Sequence, residues 1–141
     1  MQRKASAVWQ GGLKDGKGSL TTASKVLSET PYSFGTRFEG APGTNPEELL
    51  ATAHAGCFSM ALSLNLGESG IKAERIDTTA TVTFEKLDTG FTITKVHLGV
   101  TVRAPGADRA KVHEAAEKAK SGCPASKVLR AEITMDARLE K

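Results

Sequence analysis

Residues 45–66 read NPEELLATAHAGCFSMALSLNL, and this stretch sets the architecture. Asn45 can cap a helix, Pro46 suits the first helical position, and Glu48 at the third completes a capping box with Asn45. From there Leu49, Leu50, Ala53, Cys57, Phe58, Ala61, Leu62 and Leu64 follow a helical period. Apolar or small residues fill most of the circumference beyond Thr52, which predicts a helix buried nearly all round. Gly67 and Gly70 are its expected terminators.

Upstream, residues 4–10 and 17–23 read as short strands joined in a hairpin, with turn signals at Gly11-Gly12 and Lys14-Asp15-Gly16. Residues 25–44 are rich in Gly and Pro and read as loop, with one short strand near Tyr32 to Glu39. Downstream, Ile76, Ala80, Val82 and Phe84 alternate with polar residues, the mark of a half-buried strand. Asp88-Thr89-Gly90 then turns the chain into a second strand, Phe91 to about Arg103. Its apolar phase switches from odd (Phe91, Ile93) to even (Val96, Leu98, Val100, Val102). A one-residue slip would flip every side chain, so a bulge is expected near Thr94-Lys95.

Asp108 caps a second helix with the stripe Val112, Ala115, Ala116 and Ala119. Ser121-Gly122-Cys123-Pro124 interrupts it. A short helical piece from Pro124 to about Leu129 and a last strand with alternating Ile133, Met135, Ala137 and Leu139 close the chain. The expected class is α+β, in one domain over residues 1–141: antiparallel strands around a long buried helix and a second amphipathic one.

The composition narrows the function classes. Of the 141 residues, 39% are apolar and 25% charged, which suits a globular domain with its own core. No stretch approaches the roughly 18 apolar residues of a membrane span. The N-terminus lacks an apolar segment behind its positive charges, so a secretory signal is not expected and the cytoplasm is. A net charge of +3 from scattered Lys and Arg, with a single Trp and a single Tyr, argues against nucleic acid as a partner.

Two cysteines in a reducing compartment are no disulfide framework. By position, Cys57 is a packed core thiol, and apolar surroundings would hold it protonated and inert unless a cation is brought to it. Its own helix offers His54 but no Lys or Arg from Glu47 through Asn65. Cys123, just before Pro124, sits near a helix start, where unpaired N–H groups favour a thiolate. The two cysteines and His54, His97 and His113 lack zinc-site spacing, and no cofactor is implied.

The segments Phe34-Gly-Thr-Arg-Phe-Glu-Gly and Gly43-Thr-Asn-Pro-Glu-Glu-Leu-Leu-Ala-Thr-Ala-His-Ala-Gly-Cys-Phe-Ser-Met-Ala-Leu, with Lys118-Ala-Lys-Ser-Gly-Cys-Pro-Ala-Ser-Lys-Val-Leu, resemble the OsmC/Ohr family from Trp9 almost to the C-terminus. The His54 form of the helix motif and the Phe-Gly-Thr-Arg-Phe segment resemble its OsmC branch. The resemblance implies a peroxidase for organic hydroperoxides and, to some extent, hydrogen peroxide. It places the peroxidatic cysteine on Cys57, the resolving cysteine on Cys123, the thiolate-stabilising arginine on Arg37 and the acid that holds it on Glu47. It also implies an intertwined homodimer with active sites at the subunit interface, and dihydrolipoyl groups on proteins as the dithiol reductant.

The chemistry fits these residue types. A thiolate attacks one peroxide oxygen and becomes a sulfenic acid, which a second thiol condenses to a disulfide. A guanidinium beside the sulfur lowers its pKa and can donate to the leaving oxygen. Glu47 and Cys57 lie ten residues apart on one expected helix, about 15 Å along its axis. Either that helix begins later than Asn45, or a second subunit brings its own Glu47. Taken singly, Arg37 reads as a solvated loop residue, Glu47 as a first-turn acid and His54 as a packed histidine outside the catalytic set. Phe34, Phe38, Phe58 and Met60 are candidate pocket walls as well as core. Two other readings remain open: a stress-protective or binding protein with structural cysteines, and a small metal- or acyl-carrying domain.

Overall fold

Asn45 caps the long helix through its side chain: Oδ1 accepts from the Glu48 N–H at 2.8 Å, while the Glu48 carboxylate accepts from Thr44 Oγ1 at 2.8 Å. In the computed structural model, which describes Met1–Glu140, this helix is α2 (Pro46–Glu68). The order before it is β1 (Ala5–Gln10), β2 (Lys17–Thr22), β3 (Thr30–Tyr32) and α1 (Phe34–Phe38). After it come β4 (Arg75–Leu87), β5 (Gly90–Arg103), α3 (Arg109–Gly122), α4 (Pro124–Val128) and β6 (Glu132–Glu140). The chain divides into two units, Met1–Leu49 and Leu50–Lys141.

The first unit holds the antiparallel sheet β1-β2-β3. The expected hairpin is present, with Ala5 opposite Thr22 and Gln10 opposite Lys17. Gly18 pairs with Trp9 on one side and Tyr32 on the other, and those two rings lie 5.3 Å apart. A Cβ on Gly18 would meet the Trp9 ring at 2.7 Å and the Tyr32 ring closer still, so only glycine lets both rings close over the strand. The strand expected near Tyr32–Glu39 is corrected to a helix, with the strand confined to Thr30–Tyr32. Ser33 and Thr36 form a reciprocal capping box, Ser33 Oγ accepting from the Thr36 N–H at 3.3 Å and Thr36 Oγ1 from the Ser33 N–H at 2.9 Å. Those bonds satisfy first-turn donors that a strand would have paired across a ladder.

In the second unit α2 buries His54, Phe58, Leu62, Asn65 and Leu66, a single stripe. The expectation of burial all round is therefore corrected, since Met60 is 78% and Leu64 64% exposed in the chain. The expectation that no stretch could span a membrane is corrected as well: α2 is long and apolar enough by length and composition, as core helices of soluble proteins also are. Gly67 falls inside the last turn, and Gly70 ends the helix at φ +74°. There the Ile71 N–H reaches Leu66 O and the Gly70 N–H reaches Gly67 O, the paired bonds of a Schellman stop.

β4 and β5 pair antiparallel, with Thr83 opposite Lys95 and Phe84 opposite Ile93. Thr94 is thus the extra residue, a bulge where the apolar phase switches, as the sequence predicts. Beyond it Val96, Leu98, Val100 and Val102 enter the core, which they share with Phe58, Leu62, Leu66 and the α3 stripe Val112, Ala115, Ala116 and Ala119. The expectation of antiparallel strands fails at the last one: β6 pairs parallel with β5, from Lys95–Glu132 to Arg103–Glu140. The reason is the connection, because a helical crossover through α3 and α4 returns the chain to the same end of the sheet, as a parallel pair requires.

Candidate active site

Cys123 stands between two helices. It is the C-cap of α3 and the N-cap of α4, in extended backbone, and its side chain is fully buried. Pro124 at the first helical position forces the restart. The Cys123 sulfur accepts from the Ser126 N–H at 3.3 Å and lies 3.3 Å from Ser126 Oγ. Ser126 Oγ is in turn 2.7 Å from His54 Nε2, so α2 and α4 are linked by a polar pair within the core.

The structure brings together two of the four expected site residues here. The Cys57 and Cys123 thiols lie close enough to influence each other's ionisation, and the Ala125 N–H acts on both. Their titrations diverge. Burial pushes the Cys57 thiol up, the Ala125 N–H opposes this, and the neighbouring Cys123 adds to the rise. Burial also acts to raise Cys123, but the Ser126 hydroxyl, the Ser126 N–H, the Cys57 thiol and the Ala125 N–H together bring it below its ordinary value. Within the chain the donors that favour a thiolate gather on Cys123, as its helix-start position predicts.

Cys57 is half-buried and opens on a cavity of 650 Å³ walled by Met60, Ala61, Leu64, Asn65 and Pro124. At its rim Lys118 pairs with Glu68 at 2.6 Å. Met60 thus walls the space beside Cys57, whereas Phe58 is core.

The other two expected residues meet in the first unit. Arg37 Nη2 lies 2.7 Å from Glu47 Oε1, and Arg37 Nε reaches both carboxylate oxygens at 3.2 Å. The fork geometry fixes the direction of the guanidinium. Arg37 also lies 5.3 Å over the Phe38 ring, beside an apolar cleft of 260 Å³ to which Phe34 and Phe38 contribute.

The model of the OsmC-like protein family matches residues 38–138. The chain is 54% identical to "Peroxiredoxin OsmC" of Escherichia coli over 140 residues, 99% of this chain and 98% of that one. The chain belongs to the OsmC-like family. It is 32% identical to organic hydroperoxide resistance protein OhrB of Bacillus subtilis over 87% of its length and 88% of OhrB, which sets it on the OsmC side. The crystal structure of an OsmC-like protein from Mycoplasma pneumoniae superposes with a TM-score of 0.77, covering 100% of this chain and 99% of that one, at 16% identity, a likeness of fold.

Sequence reading missed Ser126 and the part played by His54 in this OsmC-like chain. Cys-x-x-Ser at a helix start was the available signal, since an N-cap side chain reaches the third helical residue. His54 is fully buried, and burial pushes its pKa below the ordinary 6.5. A histidine held neutral in the folded state and free to protonate when unfolded costs stability as pH falls. Denaturant midpoints are expected to decline from about pH 6.5 downward, and His54→Gln should flatten that decline. An unchanged slope in His54→Gln would assign the acid sensitivity elsewhere.

Proposed function

We propose that this single OsmC-like domain is a cytoplasmic thiol peroxidase that reduces organic hydroperoxides, and hydrogen peroxide, with Cys57 as the attacking sulfur and Cys123 as the resolving one. The observation that carries the reading is the neighbouring pair of thiols, Cys57 opening on a largely apolar cavity with Cys123 buried beside it. The cavity suits the organic part of a hydroperoxide, and the second sulfur is already placed to capture a sulfenic acid before it oxidises further. The names of the OsmC and Ohr relatives support the same chemistry.

The thiolate that the first step needs is not provided by the groups that set the Cys57 titration, which on balance raise it. Arg37, aimed by Glu47, supplies the missing cation, and it comes from a second copy of the chain. Two observations support this. α2 runs unbroken from Pro46 through Cys57, which removes the option of a later helix start. Met60 and Leu64 leave an apolar face of α2 that a homodimer would cover.

The reductant is a dithiol, most simply a dihydrolipoyl group on a protein, because a dithiol returns the disulfide to two thiols without a second protein cysteine. Mixing the protein with cumene hydroperoxide and dihydrolipoamide should consume both at equal rates. Peroxide consumption that proceeds with Cys57 alkylated would overturn the assignment, and bound metal or an acyl adduct on the purified protein by native mass spectrometry would favour a carrier domain.

A further inference from the structure

His54 Nδ1 is buried and has no hydrogen-bond partner among the described residues. A buried N–H without a partner is rarer and more costly than an unpaired acceptor. The neutral ring is therefore assigned its proton on Nε2, leaving Nδ1 as the bare lone pair. Nε2–H then donates to Ser126 Oγ at 2.7 Å, so the Ser126 hydroxyl proton must turn to its other neighbour, the Cys123 sulfur at 3.3 Å. The Ser126 N–H already points at the same sulfur. Every polar hydrogen in this chain of contacts runs toward Cys123.

We infer that His54 and Ser126 are positioning residues that hold Cys123 as a thiolate for the disulfide-exchange steps, distinct from the Cys57 thiolate of the peroxide step, so that Cys123 attacks when the disulfide forms and departs when the disulfide is reduced. The inference rests on Cys123 being the resolving thiol. In the first event the Cys123 thiolate attacks the sulfur of the Cys57 sulfenic acid. The S–S bond forms, the S–O bond breaks, and hydroxide leaves and takes up a proton to become water. In the second, a thiolate of the dithiol reductant attacks the Cys57 sulfur, and the S–S electrons leave on Cys123. The reductant's second thiolate then attacks the mixed disulfide, releasing Cys57 and leaving the reductant as its own disulfide.

Access and leaving-group ability agree on that direction. Cys57 borders the cavity whereas Cys123 is fully buried, and the sulfur with the lower pKa leaves faster. The titratable groups against the Cys123 sulfur are the Cys57 thiol and, through Ser126, the His54 ring.

In a Cys57→Ser background, ultraviolet thiolate absorbance titrates Cys123 by itself. Ser126→Ala or His54→Phe should raise its midpoint by about one unit, roughly a tenfold loss of thiolate at neutral pH. His54→Gln, whose amide nitrogen can replace Nε2, should restore the lower midpoint. An unmoved midpoint in both Ser126→Ala and His54→Phe, or a His54→Gln midpoint as high as that of His54→Phe, overturns the inference. A second measurement needs no variant: the oxidised chain is treated with a monothiol and digested, and the adduct is expected on Cys57 with Cys123 free. An adduct mainly on Cys123 counts against the pair. Failure of the peroxidase reading looks different, because no disulfide would form with hydroperoxide while the Cys123 titration would still be legible.

Discussion

Cys57→Ser is expected to reduce hydroperoxide consumption to the uncatalysed rate, a loss of at least about three orders of magnitude, because the bond-forming atom itself is removed. The substitution exchanges one small half-buried side chain for another, so the folded state should persist, with an unchanged thermal transition. Cys123→Ser separates the two halves of the cycle. One equivalent of hydroperoxide per chain should still be consumed, after which the reaction stalls and Cys57 advances to the sulfinic acid, visible by mass spectrometry. Sustained turnover in Cys123→Ser with a dithiol present would show that resolution does not pass through the second cysteine.

The other large effect belongs to Arg37. Arg37→Met keeps much of the apolar stem but removes the charge and the fork that Glu47 holds. The rate of Cys57 oxidation should fall by about 10²–10³, the scale lost with a preorganised donor at a developing anion. Glu47→Gln should cost less, since the guanidinium stays charged but loses its fixed direction.

A mixing experiment tests whether the site is shared. A hybrid of Arg37→Met and Cys57→Ser chains regains one complete site only if the arginine serves the cysteine of the other copy. Recovery of activity on co-refolding the two inactive proteins is expected; its absence, with hybrids shown to form, would place both residues in one chain.

Much of the frame could be read from the residues alone. The α2 and α3 starts were legible because their caps obey local chemistry, Asn45 to Glu48 and Asp108 to Lys111. The Thr94 bulge was legible because strand alternation must break where the apolar phase changes. Cys123 at a helix start followed from the proline behind it.

What was missed has physical reasons too. Alternation is blind to strand direction, so β6 could not be oriented. The α1 segment is too short to show a helical period, although Ser33 and Thr36 carried a cap signal. The apolar circumference of α2 predicts burial all round, while the chain by itself covers only one stripe. His54 and Ser126 are 72 positions apart, and no local rule joins them. The expected site residues split accordingly: the two cysteines come near each other through packing of α2 against the crossover, and the Arg37–Glu47 pair forms through the turn between two short-range caps.

The crossover that makes β6 parallel also sets a gauge for the redox chemistry. α3 begins at a fixed cap on Asp108 and ends on Cys123 itself, leaving no slack between that cap and the sulfur. Removing one residue from α3 would swing everything beyond it by about 100° and retract it by about 1.5 Å, turning the thiol away from its mate or the alanine stripe away from the core. Length variation in this protein is therefore tolerable in the β4–β5 turn and forbidden between Asp108 and Cys123, where helix length serves as the ruler that spaces two sulfur atoms.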